Sequence, residues 1–252
     1  MRIHEFGPDK APKVVLLHVA GARWDYFEYV VALLENDFHV LVPAIPGYDE
    51  TDPELDFTSV EDIATNLARQ LQARGIETID LLLGCSMGGS IALKMAAEHK
   101  VGVRNLVLDG AILPYQLPWL ATRAIAVRDF LMVSAGKYAA VTVLEKAFAT
   151  EQYSREDVEY IKEVLGSMSA RTIWRTFESC NNYTLPPRLP HSVGYVEYWY
   201  GDREARARRS DIRYLKQVCA QAKIIRIQDR GHCATATFFP QQMAARIRKL
   251  VP

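Results

Sequence analysis

The chain has no net charge: 30 Lys and Arg residues balance 30 Asp and Glu residues over 252 positions. That balance excludes the broad basic footprint of a nucleic-acid-binding protein. The densest basic run, Arg203 to Arg209, is short, is interrupted by Glu204, and reads as a solvated helical face. Long hydrophobic runs are also missing, so no membrane-spanning segment is expected. The first residues, Met1 to Pro8, have neither the apolar stretch nor the small-residue cleavage site of a secretory signal. The expectation is a soluble, cytoplasmic protein with a small-molecule substrate and no nucleic-acid or membrane partner. Cysteine is scarce: Cys85, Cys180, Cys219 and Cys233 fall at no paired spacing, which argues against a disulfide framework and against a zinc site. They read as small buried hydrophobes. There is no internal repeat and no low-complexity tract. What the chain does have is 49% hydrophobic residues against 24% charged, enough for a sizeable core.

Short apolar runs alternate with amphipathic segments through the first part. Val14–Leu17 reads as a buried strand, Trp24–Glu35 as a helix, and Phe38–Val42 as the next strand, stopped by Pro43. Thr58-Ser59-Val60-Glu61 has the pattern of a capping box, followed by a helix carrying Val60, Ile63, Ala64, Leu67 and Leu71. Leu81–Leu83 and Leu106–Leu108 are further strands, the second ending at Asp109. From 111 to 190 the alternation stops, and helical patterns begin at Ser154 and Ser169. Strands resume at Val193–Tyr200 and Lys223–Ile227, with helices at Asp211–Val218 and Pro240–Leu250. The pattern predicts an α/β fold: a mostly parallel central sheet flanked by helices, formed by residues 1–110 and 191–252, with residues 111–190 inserted as a helical cap.

The chemistry centres on Gly84-Cys85-Ser86-Met87-Gly88, which joins a predicted strand to a predicted helix. A serine on so sharp a turn needs glycine two residues away on either side, because a Cβ there would clash. The turn lifts the Ser86 hydroxyl clear of the sheet and aims the Met87 N–H, at the helix N-terminus, where an oxyanion would form. Serine is a weak nucleophile alone and needs a base, which in turn needs an acid to orient it. Asp202 and His232 both lie just past the carboxyl ends of predicted strands, where open parallel sheets place their sites. The order Ser86, Asp202, His232 is the one a serine elbow predicts. Asp109, also at a strand end, is a rival acid, and Asp202 has an alternative use as a cap for the charged helix after it. Such a site needs no metal or cofactor.

With these motifs, from Val14 to Leu250, the chain resembles the α/β-hydrolase-fold superfamily, in its single-domain form with a helical cap. The resemblance implies Ser86 as nucleophile, His232 as general base and then acid, and Asp202 as the residue that holds the imidazole. It also implies a second oxyanion donor from the turn His18-Val19-Ala20-Gly21-Ala22, the N–H of Ala20. Val19 stands where relatives usually carry glycine. A β-branched residue tolerates positive φ badly, so an altered turn is expected here. Val42–Tyr48 resembles the family's Asp-x-Pro-Gly-His-Gly segment without its Asp and His.

Aromatic residues at the start of the cap and along its later helix, Tyr115, Trp119 and Trp174, together with Trp24 after the oxyanion turn, are candidates for a covered, largely apolar pocket. The expected function is a serine hydrolase that cleaves a small to medium, largely apolar carboxylic ester through an acyl-enzyme. The same triad also serves carbon–carbon bond hydrolases or lyases, thioesterases and acyltransferases. A weakly catalytic small-molecule-binding protein is the reading from outside enzymes.

Overall fold

Strand-forming runs and helical runs sort into three layers in the structure, a computed structural model that describes residues 1–115, 117–147 and 153–252. Seven strands form one sheet: β1 (Ile3–Phe6), β2 (Lys13–Leu17), β3 (His39–Pro43), β4 (Thr78–Cys85), β5 (Gly102–Asp109), β6 (Val193–Gly201) and β7 (Lys223–Ile227). Their order is β1-β3-β2-β4-β5-β6-β7. β1 pairs antiparallel with β3, and every other pair is parallel. The short edge strand β1 was not expected from the sequence.

Alternate strand residues feed opposite layers, as a period of two requires. On one face Val14, Leu16, Val40, Val42, Leu81 and Leu83 pack against α1 (Glu28–Leu34) and α10 (Pro240–Leu250). On the other, Val15, Leu17, Leu41 and Leu82 pack against α2 (Val60–Ala73) and α3 (Met87–Glu98). Burial of both faces explains why the central strands read as unbroken apolar runs. Each such leucine or valine contributes about 1.5–3 kcal/mol by leaving water.

The helix caps follow the side-chain chemistry. Ser59, not Thr58, caps α2, its hydroxyl accepting from Asp62 N–H at 3.0 Å. The cap falls one residue later than expected, with no reciprocal bond from Asp62 among the described residues, and Glu61 instead accepts from Thr184 N–H at 3.0 Å. Between β5 and β6 the chain runs through α4 (Trp119–Tyr138), α5 (Val141–Ala147), α6 (Arg155–Ser167) and α7 (Ala170–Asn182). Ser154 and Asp157 form a reciprocal capping box on α6, and Ser169 caps α7. Among the described residues of 111–190 there is no strand; residues 116 and 148–152 of that range lie outside the described ones. No helix is long and apolar enough to cross a membrane among the described residues. After β6 come one turn of 3-10 helix at Asp202–Glu204 and then α8 (Arg209–Val218); the short α9 (Ala234–Phe238) follows β7.

The parallel strands bring Leu17, Cys85, Asp109, Gly201 and Ile227 to one edge of the sheet, so the loops that follow them converge. At the centre of that edge a Cβ on Gly84 would lie 2.2 Å from Gly88 O, and one on Gly88 2.2 Å from Leu17 O. Both neighbours are backbone and cannot step aside. Gly84→Ala and Gly88→Ala are expected to lower unfolding free energy by about 2–4 kcal/mol. Gly166→Ala, in α6 with nothing within 4 Å of the added Cβ, is expected to be neutral or stabilising by up to about 1 kcal/mol. Urea melts of the three variants check the contrast.

Candidate active site

Ser86 sits between β4 and α3 with φ 50° and ψ −113°. This is the backbone that sharp strand-to-helix turns impose, and it is strained for any residue with a Cβ. Ser86 N–H donates to Asp109 O at 2.8 Å, which fixes the turn to the end of β5. Met87 is the first residue of α3, so its N–H has no carbonyl one turn back to bond.

The Ser86 hydroxyl and the His232 imidazole meet: Nε2 of His232 is 2.9 Å from Ser86 Oγ. Room for the ring comes from Gly110, at φ 59°, where a Cβ would fall 2.8 Å from the imidazole. The loop is held from behind by Tyr26, whose hydroxyl donates to Cys233 O at 2.5 Å. Neither Gly110 nor Tyr26 was singled out from the sequence.

The carboxylate on the far side of the ring is Glu204. Its Oε2 lies 2.7 Å from His232 Nδ1. Asp202, the residue expected there, does not make this contact. Its Oδ1 accepts from Arg230 N–H at 3.2 Å and its Oδ2 lies 3.9 Å from Arg226 Nη2, which ties the end of β6 to the histidine loop. The physical reason is the 3-10 turn, which starts at Asp202 and carries the chain back so that its third residue faces the imidazole. Arg208, one helical turn further on, pairs with Glu204 Oε2 at 3.1 Å and with Asp211 Oδ2 at 3.1 Å. A largely buried arginine with acids at i−4 and i+3 is a sequence signal that could have found Glu204. Burial pushes the Glu204 carboxyl up, but the His232 contact and Arg208 outweigh it and hold its pKa below the usual value. Burial likewise opposes the charged imidazole of His232, and the contacts with Cys233 and Glu204 overcome it, raising the pKa.

Asp109 lies behind this pair, 2% exposed. Burial drives its pKa up to about 7, and the nearby Glu204 charge adds to the rise. It faces thiols rather than the imidazole edge: Cys85 Sγ lies 3.9 Å from its Oδ2, and Cys233 Sγ lies 3.3 Å from its backbone oxygen. Donor atoms of Cys85, Asp109 and Cys233 fall within 4.8 Å of one another, the only such metal-compatible group among the described residues. Burial raises the pKa of both thiols, so at neutral pH they are uncharged and pack as apolar groups.

The turn after β2 carries its positive φ at Gly21, 81°, and not at Val19, so the β-branched residue is accommodated without strain. His18, fully buried, is pushed down to about pKa 4 by desolvation and is neutral. Its Nδ1 lies 3.0 Å from Val19 O while Nε2 accepts from Ile45 N–H at 3.4 Å, so it braces the turn. Val19, Ala20 and Gly21 line a cavity of about 530 Å³ that reaches His232 and Cys233.

None of the four expected aromatic pocket residues lines this cavity. Trp24 stacks on His4, with ring centroids 3.9 Å apart. Trp174 packs edge-on against Phe130. Trp119 is 65% exposed beside Arg123. Tyr115 donates its N–H to Asn181 O at 2.9 Å, joining the start of the 111–190 segment to the end of α7. The aromatic rings that do reach the cavity include Tyr26, Tyr29, Tyr160 and Phe177.

A family model described as the alpha/beta hydrolase family matches residues 14–246, and the chain belongs to that family. Lipase 1 of Psychrobacter immobilis is 23% identical over 238 residues, covering 87% of this chain and 70% of that protein. The 2-succinyl-6-hydroxy-2,4-cyclohexadiene-1-carboxylate synthase of Yersinia enterocolitica is 37% identical over 101 residues, covering 39% of this chain and 35% of that enzyme, so the match spans about a third of it. Among solved structures, MenH from S. aureus superposes with a TM-score of 0.78 at 18% identity, covering 99% of this chain and 97% of that one.

The three carboxyls are separable by mutation. Glu204→Gln should lower kcat by about 10³–10⁴-fold, the loss expected when an imidazole keeps its place but loses its orienting charge. Asp202→Asn should leave kcat near wild type. With His232 as general base the neutral imidazole would be the active form, so the acid limb of kcat/KM should lie above the ordinary histidine pKa of 6.5 and move to lower pH in Glu204→Gln. Asp109 titrates in the opposite sense to a stabilising carboxylate. The folded protein keeps a proton that the unfolded chain releases between about pH 4 and 7, so stability falls as pH rises through that window. Asp109→Asn should flatten that fall, as read by unfolding midpoints across the range.

Proposed function

We propose that this protein is a serine esterase that cleaves a small to medium carboxylic ester with a largely apolar acyl group, through an acyl-enzyme. The observation that carries this reading is the pair of contacts at one imidazole, 2.9 Å to Ser86 Oγ and 2.7 Å to Glu204 Oε2. Ser86 Oγ attacks the ester carbonyl while His232 Nε2 takes its proton. Glu204 holds Nδ1–H and stabilises the imidazolium that forms. The N–H groups of Met87 and Ala20 receive the oxyanion, each such donor being worth on the order of 3 kcal/mol in the transition state. The imidazolium then returns the proton to the departing alkoxide. Water, activated by the same imidazole, attacks the acyl-enzyme carbonyl and releases the acid and Ser86.

The segment 111–190 acts as the cap of this site. Its residues Val133, Ile161, Leu165, Met168 and Phe177 supply the apolar floor of the cavity, suited to an acyl chain of several carbons. The relative named as a lipase fits this chemistry. The likeness to the Yersinia synthase keeps a carbon–carbon reaction of the same triad as the second reading.

Steady-state release of p-nitrophenol from acetate, butyrate and octanoate esters tests the proposal. Multiple turnovers are expected, faster on the longer acyl groups, and Ser86→Ala should abolish them without changing the folded spectrum. Turnover retained in Ser86→Ala would remove the serine from the mechanism. A wild type inert toward all three esters would move the weight to the carbon–carbon reaction.

A further inference from the structure

The cavity beside His232 joins two chemistries. Its floor is apolar, as described above, and its rim is acidic and aromatic. Asp25, Glu28, Glu156 and Asp157 line that rim together with Tyr29 and Tyr160. Among the described residues no Lys or Arg lines the cavity. In a chain with 30 charges of each sign, four carboxylates lining one cavity with no Lys or Arg and only the His232 imidazole to offset them is a local excess of negative charge. Arg23, close by in sequence, has its guanidinium taken by Glu50 at 3.0 Å and Glu163 at 2.8 Å.

Two of the four carboxylates have structural work. Asp25 accepts from the Tyr160 hydroxyl, and Asp157 accepts from Ser154 N–H at 2.7 Å in the capping box of α6. Glu28 and Glu156 are exposed and make no ion pair among the described residues. Each lies in the first turn of its helix, α1 and α6. Tyr29, 60% exposed, is on the same rim, and aromatic faces attract cations, quaternary ammonium groups above all; the Tyr160 ring already has the Arg23 guanidinium 6.0 Å from its centroid.

We propose that this rim binds a cationic ammonium group on the alcohol portion of the substrate, so that the preferred ester joins an apolar acyl group to an ammonium-bearing alcohol. The inference rests on the ester reading above. The acyl group lies on the floor and stays there in the acyl-enzyme. The alcohol lies toward the mouth, where Glu28 and Glu156 are exposed, and leaves past them. The same field repels substrates with an anionic alcohol portion.

Three butyrates of matched size provide the test: butyrylcholine, its uncharged isostere 3,3-dimethylbutyl butyrate, and 2-sulfoethyl butyrate. At low salt kcat/KM should be about tenfold higher for the choline ester than for the isostere, and about tenfold lower for the sulfonate. The choline-to-isostere ratio should collapse toward one in the Glu28→Gln/Glu156→Gln double variant, and in wild type at high salt. Equal rates on the choline ester and its isostere, or a preference that survives the double variant, would overturn the proposal. Calorimetric binding of hexyltrimethylammonium and hexanesulfonate to the Ser86→Ala protein separates this outcome from failure of the ester reading. Ammonium binding that weakens when both glutamates are replaced supports the rim even without ester turnover. Sulfonate binding as tight as ammonium binding, or no ammonium binding, rejects it.

Discussion

The left-handed backbone at Ser86 is the constraint on which the rest of the site depends. A serine at φ 50° costs about 1–3 kcal/mol and persists only if its surroundings leave no alternative. Here β5 holds it through the Asp109 carbonyl, α3 begins immediately after it, and the glycines on either side bring Gly88 against Leu17 O at a spacing that admits no Cβ. One turn therefore locks the ends of β2, β4 and β5 together. The turn His18–Ala22 follows β2 directly, so its distance from the serine is set by the same contact. The energy that strains the serine comes from the sheet, whose central strands are buried on both faces.

This origin explains what could be read from the sequence. A glycine–serine–glycine turn between a strand and a helix is a local steric rule, and Ser86 obeys it visibly. The parallel strands were legible because doubly buried strands are continuous apolar runs, and His232 because it follows one of them. The acid was not legible. Asp202 and Glu204 are two residues apart after the same strand, and the choice between them is made by a single turn of 3-10 helix and by Arg208 four residues on. Nor was β1: four residues at an edge, pairing antiparallel with β3, carry too little pattern to stand out. The one-residue shift in the α2 cap has the same origin, since Thr58 and Ser59 are both competent caps, and the tertiary bond from Val60 N–H to Ser179 Oγ at 2.8 Å fixes where the helix starts.

The segment between β5 and β6 misled for a different reason. Aromatic side chains were expected to face the serine, yet Trp174 packs against the Phe130 ring and Trp119 is exposed. The helix nearest the core, α7, turns part of its polar face inward. Thr172, Thr176 and Ser179 form a buried stripe that meets Phe57 N–H, the Tyr48 hydroxyl and Val60 N–H. A helix docked by hydroxyls onto loop backbone inverts the rule that polar faces point to solvent. Buried polar groups must be paired, and these are, so the docking is specific in register as well as favourable. The orientation of α7 in turn presents Phe177 to the cavity and leaves Trp174 beside Phe130.

Two carboxyl groups near one imidazole raise the question of which carries the charge, and the surroundings answer it. Glu204 has Arg208 at 3.1 Å and the imidazole N–H, which stabilise the anion. Asp109 has thiols and hydrocarbon around it and feels the charge already on Glu204. Two anions in so small a space would repel, so ionisation of one suppresses that of the other. The hydrogen bond with the imidazole, supported by the arginine, decides the competition in favour of Glu204. His232 thus meets Glu204 on its Nδ1 side, with Nε2 directed at the serine, while the buried Asp109 behind it is held toward its protonated form, its pKa pushed up to about 7. The separation of an orienting carboxyl held toward its charged form from a buried one biased toward its protonated form is the arrangement that lets an imidazole act as base toward a hydroxyl on one side only.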